Sequence, residues 1–113
     1  MPPPRPGQRV RGSRTGRPVM ALLDLLGRRW TLRVLWELRD GPRSFRGLRS
    51  ACDDISPSTL NARLTELRDA GLIVLEEPEG YALTDQAMDL CKLLLPLDGW
   101  ARRWGKRLPT NGS

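Results

Sequence analysis

The stretch Ser56-Pro57-Ser58-Thr59-Leu60-Asn61-Ala62-Arg63-Leu64-Thr65-Glu66-Leu67-Arg68-Asp69-Ala70-Gly71-Leu72 decides the fold. Ser56 offers a hydroxyl to an orphan amide and Pro57 has its φ already set, so a helix starts here. Leu60, Leu64 and Leu67 recur at i, i+4 and i+7 and form one narrow apolar stripe. Gly71 accepts a left-handed cap and places Leu72 against Leu67. The spacing therefore predicts a helix over 57–70 that packs on one side only. At about 100° per residue, Ser58, Ala62, Thr65 and Asp69 lie opposite the leucines, with Thr59 and Asn61 flanking them. A helix that is merely solvated usually shows a bulky charged face. A small, hydrogen-bonding face suits close approach to base edges in a DNA major groove.

Upstream, Ser44 can cap a short helix in which Phe45 and Leu48 face inward while Arg46 and Arg49 face outward. The tight connection Cys52-Asp53-Asp54-Ile55 joins it to the helix at 57, and two helices so joined, the second capped by Ser, make a helix-turn-helix pattern. Before it, Trp30 to Arg39 reads as a helix with Trp30, Val34 and Leu38 at four-residue spacing, stopped by Asp40-Gly41-Pro42. Pro18 opens an earlier helix, crowded with Val19, Leu22, Leu23, Leu25 and Leu26, that Gly27 ends.

Downstream, Leu72–Leu75 and Tyr81–Leu83 are short β-rich runs around the turn residues Glu76-Glu77-Pro78-Glu79-Gly80, a hairpin over 72–83. A helix-turn-helix followed directly by such a hairpin is a winged helix. Thr84-Asp85 caps a last helix over 85–106, with Ala87, Leu90, Leu94, Leu97, Ala101 and Trp104 at three-four spacing. Pro96 lies inside it, so a kink or a break is expected. A stripe this long, in a domain whose core is already filled, favours a partner helix over folding back. The fold class is mainly α with a small β-hairpin: a winged helix-turn-helix with N- and C-terminal dimerisation helices.

These residues resemble the HxlR-type winged-helix regulators of bacteria. The resemblance runs in order through Pro18-Val19, Leu23–Gly27, Trp30-Thr31-Leu32, Asp40–Phe45, the segment Ile55–Leu72 and Tyr81–Thr84, and covers roughly residues 17–104. It implies a homodimeric, DNA-binding transcriptional regulator whose interface is built from the first and last helices. Two departures stand out. Many relatives place a cysteine before the Pro-Val pair, in some an electrophile sensor; here that position is Arg17. The wing is shorter than usual and carries Glu76, Glu77 and Glu79 with no cation, a poor partner for phosphates.

The reading is thus a cytoplasmic, sequence-specific regulator that binds double-stranded DNA at an inverted repeat as a homodimer. Ser56, Ser58 and Thr59 would meet phosphates and base edges at the positive end of the recognition helix. Asn61, Ala62 and Thr65 are candidates for groove contact, Arg63 for a phosphate or guanine, and Arg43, Arg46 and Arg49 for the backbone. Leu22, Leu26, Leu90, Leu94, Leu97, Ala101 and Trp104 are the expected dimer interface. The alternative is a winged-helix interaction module that has lost DNA binding, to which the acidic wing and Asp53-Asp54 lend support.

Composition narrows the rest. Among 113 residues there is no histidine, which rules out histidine-based catalysis and His-ligated metal. Cys52 and Cys91 are too far apart to suggest a metal cluster or disulfide framework. No catalytic residue, metal or cofactor is expected, no apolar run is long enough to cross a membrane, and no effector ligand is indicated. The 19 cations exceed the 13 acids by six, yet Arg5, Arg9, Arg11, Arg14 and Arg17 lie in a Pro/Gly-rich stretch with no acid. Residues 18–113 therefore carry a net charge of only +1, from 14 cations and 13 acids. Residues 1–17 are expected to be disordered, with two readings open: a basic DNA arm, or an extension ahead of a start at Met20. Residues 18–107 form the domain, and 108–113 a flexible tail.

Overall fold

The computed structural model describes residues 17–109. Five helices and one hairpin follow in the order α1 (Pro18–Leu26), α2 (Thr31–Glu37), α3 (Phe45–Ala51), α4 (Pro57–Asp69), β1 (Ile73–Glu76), β2 (Gly80–Leu83) and α5 (Asp85–Arg107). The chain is a mainly helical winged helix-turn-helix. Its core is a single cluster in which Val34, Leu35, Leu48, Leu60, Leu64, Leu67 and Ile73 are buried from α2, α3, α4 and the hairpin. Phe45 and Tyr81 pack against the edge of that cluster.

Local chemistry sets the ends of α4. The Ser56 hydroxyl accepts the Thr59 amide at 3.2 Å and donates to the Thr59 hydroxyl at 2.8 Å. At the other end Gly71 sits at φ +77, its amide bonded to the Arg68 carbonyl and the Leu72 amide to the Leu67 carbonyl. That paired arrangement satisfies two orphan carbonyls and brings buried Leu72 onto buried Leu67. An added Cβ at Gly71 would meet nothing closer than Gln86 Oε1 at 3.9 Å, so the site has space but the wrong backbone for an L-residue. Gly71→Ala should therefore cost about 1 kcal/mol, from the left-handed conformation alone, read as a lower urea midpoint with an unchanged slope.

The hairpin is antiparallel, with Ile73 opposite Leu83 and Glu76 opposite Gly80. It has a third participant that local sequence does not reveal. Arg43 and Tyr81 exchange two backbone hydrogen bonds, at 3.0 and 2.9 Å, and so clip the wing to the start of α3. Gly80, at φ +110, makes this possible, because a side chain there would collide with the Arg43 carbonyl. Thr84 then ties wing to helix: its hydroxyl accepts the Ala87 amide and donates to the Gly71 carbonyl at 2.8 Å.

Two expectations need correction. Trp30 does not belong to α2; it precedes the helix at φ +77, left-handed, and holds the corner between α1 and α2 by packing on the core. Of the kink or break expected at Pro96, the break does not occur, and the last helix runs as one element from Asp85 to Arg107. Proline there forfeits the bond to the Lys92 carbonyl, and Lys92 is exposed, where water can replace the lost donor.

Candidate nucleic-acid interface

Helix α4 presents the small polar face that its sequence predicts. Ser56, Ser58, Asn61, Ala62, Thr65 and Asp69 are exposed, and Thr59 is half-buried beneath the cap. These side chains are brought together on one side of a helix whose opposite stripe, Leu60, Leu64 and Leu67, is fully engaged in the core. Among the described residues, no partner from elsewhere in the fold is bonded to Ser58, Asn61 or Thr65.

The arginines divide sharply. Arg46 on α3 is exposed, without a hydrogen bond or ion pair among the described residues. Arg43 donates from Nε to the Glu37 carbonyl at 2.7 Å, and Arg49 from Nε to the Ile55 carbonyl at 2.7 Å. Both therefore brace the helix-turn-helix from inside, Arg49 by closing the turn in which Asp53 and Asp54 take φ near +57 and +58. A guanidinium has five N–H groups, so each keeps donors to spare for a phosphate. Arg63 is different. Its side chain is only 19% exposed, lies 3.1 Å from Glu66 and donates to the Arg29 carbonyl at 3.3 Å. Arg17 is exposed at the N-cap position of α1, where its carbonyl accepts the Met20 and Ala21 amides; Arg5, Arg9, Arg11 and Arg14 lie outside the described residues.

The helices named for the dimer interface carry much uncovered apolar surface. Leu97 and Trp104 on α5 are 56% and 50% exposed, and Ala101 is exposed beside them. Leu22, Leu26, Leu90 and Leu94 are half-buried, Leu26 and Leu90 against the domain's own core. The most outward side chains include several that spacing alone does not single out: Val19 and Leu23 on α1, and Leu93 and Trp100 on α5. Trp100 and Trp104 stack with ring centres 5.8 Å apart. Between α2 and α5 runs an apolar groove of about 410 Å³, walled by Leu32, Trp36, Cys91, Leu94, Leu95 and Leu97.

Both thiols are displaced upward. Burial pushes the Cys52 thiol above its ordinary value, against the nearby Arg33 charge, and Glu37 and Asp53 push in the same direction as burial. Burial does the same for Cys91. Both are therefore thiols rather than thiolates at neutral pH, the form that reacts slowly. No described helix is long and apolar enough to cross a membrane.

The model of the HxlR-like helix-turn-helix family matches residues 25–109, and so spans the helix-turn-helix, the wing and α5. The chain belongs to that family. Similar proteins include YvaP, an HTH-type transcriptional regulator of Bacillus subtilis, 30% identical over 73% of this chain and 82% of its own. An HTH-type regulator of Methanocaldococcus jannaschii is 28% identical over 75% of this chain and 83% of its own. Among solved structures, a possible HxlR family transcriptional factor from Thermoplasma volcanium superposes with a TM-score of 0.69 at 29% identity, covering 76% of this chain and 83% of that one. Quinone-bound YodB from B. subtilis gives a TM-score of 0.68 at 27% identity, over 75% and 94% of the two chains.

Proposed function

We propose that this HxlR-like protein is a sequence-specific, double-stranded DNA-binding transcriptional regulator that acts as a homodimer with α4 in the major groove. The observation that carries the reading is the outward face of α4: small, polar, exposed and held on a helix capped at both ends. Asn61 can pair bidentately with adenine, Ala62 can rest on a thymine methyl, and Ser58 and Thr65 are short enough to reach base edges. Ser56, Ser58 and Thr59 stand at the positive end of the helix dipole, where a phosphate is favoured. Arg46, with the spare donors of Arg43 and Arg49, serves the backbone alongside. Arg63, with its side chain 19% exposed and held against Glu66 and the Arg29 carbonyl, would have to reach DNA past those contacts.

The homodimer is supported by the exposed apolar side chains Val19 and Leu23 on α1 and Leu93, Leu97, Trp100 and Trp104 on α5, since clustered apolar exposure of this kind marks interaction surfaces. Two recognition helices related by a twofold axis would read an inverted repeat, with half-sites about one helical turn apart. An electrophoretic shift with duplex selected from a random-sequence pool, against unselected competitor, tests the reading; equal affinity for both would reject it.

The basic arm has a quantitative signature. If Arg5, Arg9, Arg11 and Arg14 each meet a phosphate, removing residues 1–16 should flatten the log–log salt dependence of binding by about three to four. This deletion leaves Arg17 in place at the N-cap position of α1. An unchanged slope assigns the arm no DNA contact.

One observation favours a second reading, a winged-helix module that binds a protein. Glu76, Glu77 and Glu79 are all exposed on the wing. The other acidic feature is weaker support, since Asp53 is already paired with Arg33 at 3.6 Å. The same selection experiment separates the two readings.

A further inference from the structure

Between α4 and the corner that joins α1 to α2 lies a group of ionised side chains that neither the core nor the outward face of α4 requires. Glu66 projects from α4 one turn beyond Ala62, and its side chain is 9% exposed. Arg28 donates from Nη1 to Glu66 Oε2 at 2.9 Å. The same guanidinium stands 3.8 Å from Asp24 on α1. On the other side, Arg63 Nε lies 3.1 Å from Glu66 Oε1 while Nη1 donates to the Arg29 carbonyl. A continuous chain of charges thus runs from α1 through the corner to α4.

This is an expensive way to hold a helix in place. Two guanidinium groups share one buried carboxylate, and their bonding is incomplete. Arg28 Nε, Arg63 Nε and Glu66 Oε1 are buried without a hydrogen-bond partner. The 3.1 Å approach of Arg63 is therefore a contact of charges that lacks the alignment of a hydrogen bond. Buried ion groups of this kind add little stability, because desolvation offsets their attraction, and apolar replacements are often as stable. What they supply is direction. The three-leucine stripe under α4 is narrow and its attraction non-directional, so packing alone resists a roll of the helix only weakly. The hydrogen bond from Arg28 to Glu66 and the one from Arg63 to the Arg29 carbonyl are directional, and both tie α4 to the corner on one flank.

We infer that Glu66, gripped by Arg28 and Arg63, is a positioning residue that sets the roll of α4 against the α1–α2 corner. It thereby sets where Asn61, Ala62 and Thr65 point. Because Asp24 belongs to α1, whose Val19 and Leu23 are uncovered, the same cluster couples the aim of α4 to the surface proposed for the second subunit. This rests on the DNA-binding reading above.

The test uses the full chain and a duplex that the wild type selects from a random pool. Glu66→Gln keeps the shape and removes the charge. Helical content and solution mass should be unchanged, while affinity for the selected duplex falls about tenfold or more, the worth of a misplaced base contact. Affinity for unselected duplex and the salt slope should hold, and the penalty for moving the half-sites one base pair apart should shrink. A purely structural role would leave that spacing penalty unaltered in the folded fraction. The triple variant Arg28→Met, Arg63→Met, Glu66→Leu replaces the cluster by packing; it should fold as stably as wild type and show the same relaxed spacing. Wild-type discrimination in either folded variant overturns the proposal. So does failure of both to fold, since the cluster would then be a prop for the fold. If the wild type selects no sequence, it is the DNA-binding reading that fails.

Discussion

Leu23→Asp combined with Leu97→Asp should convert the protein from dimer to monomer and lower its affinity for an inverted-repeat duplex by roughly 10²–10⁴. The factor is what a second, tethered half-site adds when the first is already bound. Both leucines are more than half exposed, so a carboxylate on either disturbs no core packing in the single chain. Only an interface would notice. Light scattering reads the mass, an electrophoretic shift reads the affinity, and a half-site duplex should bind the variant as well as the wild type. A wild type that is already monomeric at micromolar concentration would remove the homodimer from the account.

Ala62→Glu is the second large effect. Ala62 is exposed near the middle of the outward face of α4, and alanine and glutamate both suit a helix, so stability should change little. In a groove the new carboxylate would displace a methyl-sized contact and face the backbone phosphates. Affinity for the selected duplex should drop to the non-specific level, a loss on the order of a thousandfold or more. Glu77→Gln on the wing tip is the matched control: it removes a charge that phosphates repel and should leave binding equal or tighter. If Ala62→Glu binds as wild type does, α4 is not in the groove.

The helix that carries these predictions is legible from its own residues because everything that defines it is local. Its cap, its leucine stripe and its glycine stop all lie between Ser56 and Leu72. The same is true of the Ser44 and Thr84 caps, whose hydroxyls accept amides three residues on. Elements that depend on distant partners are opaque. Arg43, Arg49 and Arg63 read as surface cations until the fold brings the Glu37 and Ile55 carbonyls and Glu66 to them. Nothing near Arg43 announces that its backbone will pair with Tyr81, or that Gly80 is glycine to admit it.

Helix α1 shows a different limit. With five large aliphatic side chains among nine residues it offers almost no polar reference, so periodicity places the apolar mass but not its orientation. Leu22 and Leu26 look as suitable for an interface as Val19 and Leu23, yet the structure turns the latter pair outward. Trp30 fails for a backbone reason. Its four-residue spacing to Val34 mimics a helical face, but the corner requires a left-handed residue there, which no side-chain pattern records.

The central claim, that α4 reads the major groove in a twofold complex, is most directly met by methylation protection of guanine N7 across the selected duplex. That atom lies on the floor of the major groove. With one α4 in the groove at each half-site, two protected patches about one helical turn apart are expected, both lost in Ala62→Glu. A single patch, or a bound duplex with no N7 protection at all, would contradict it.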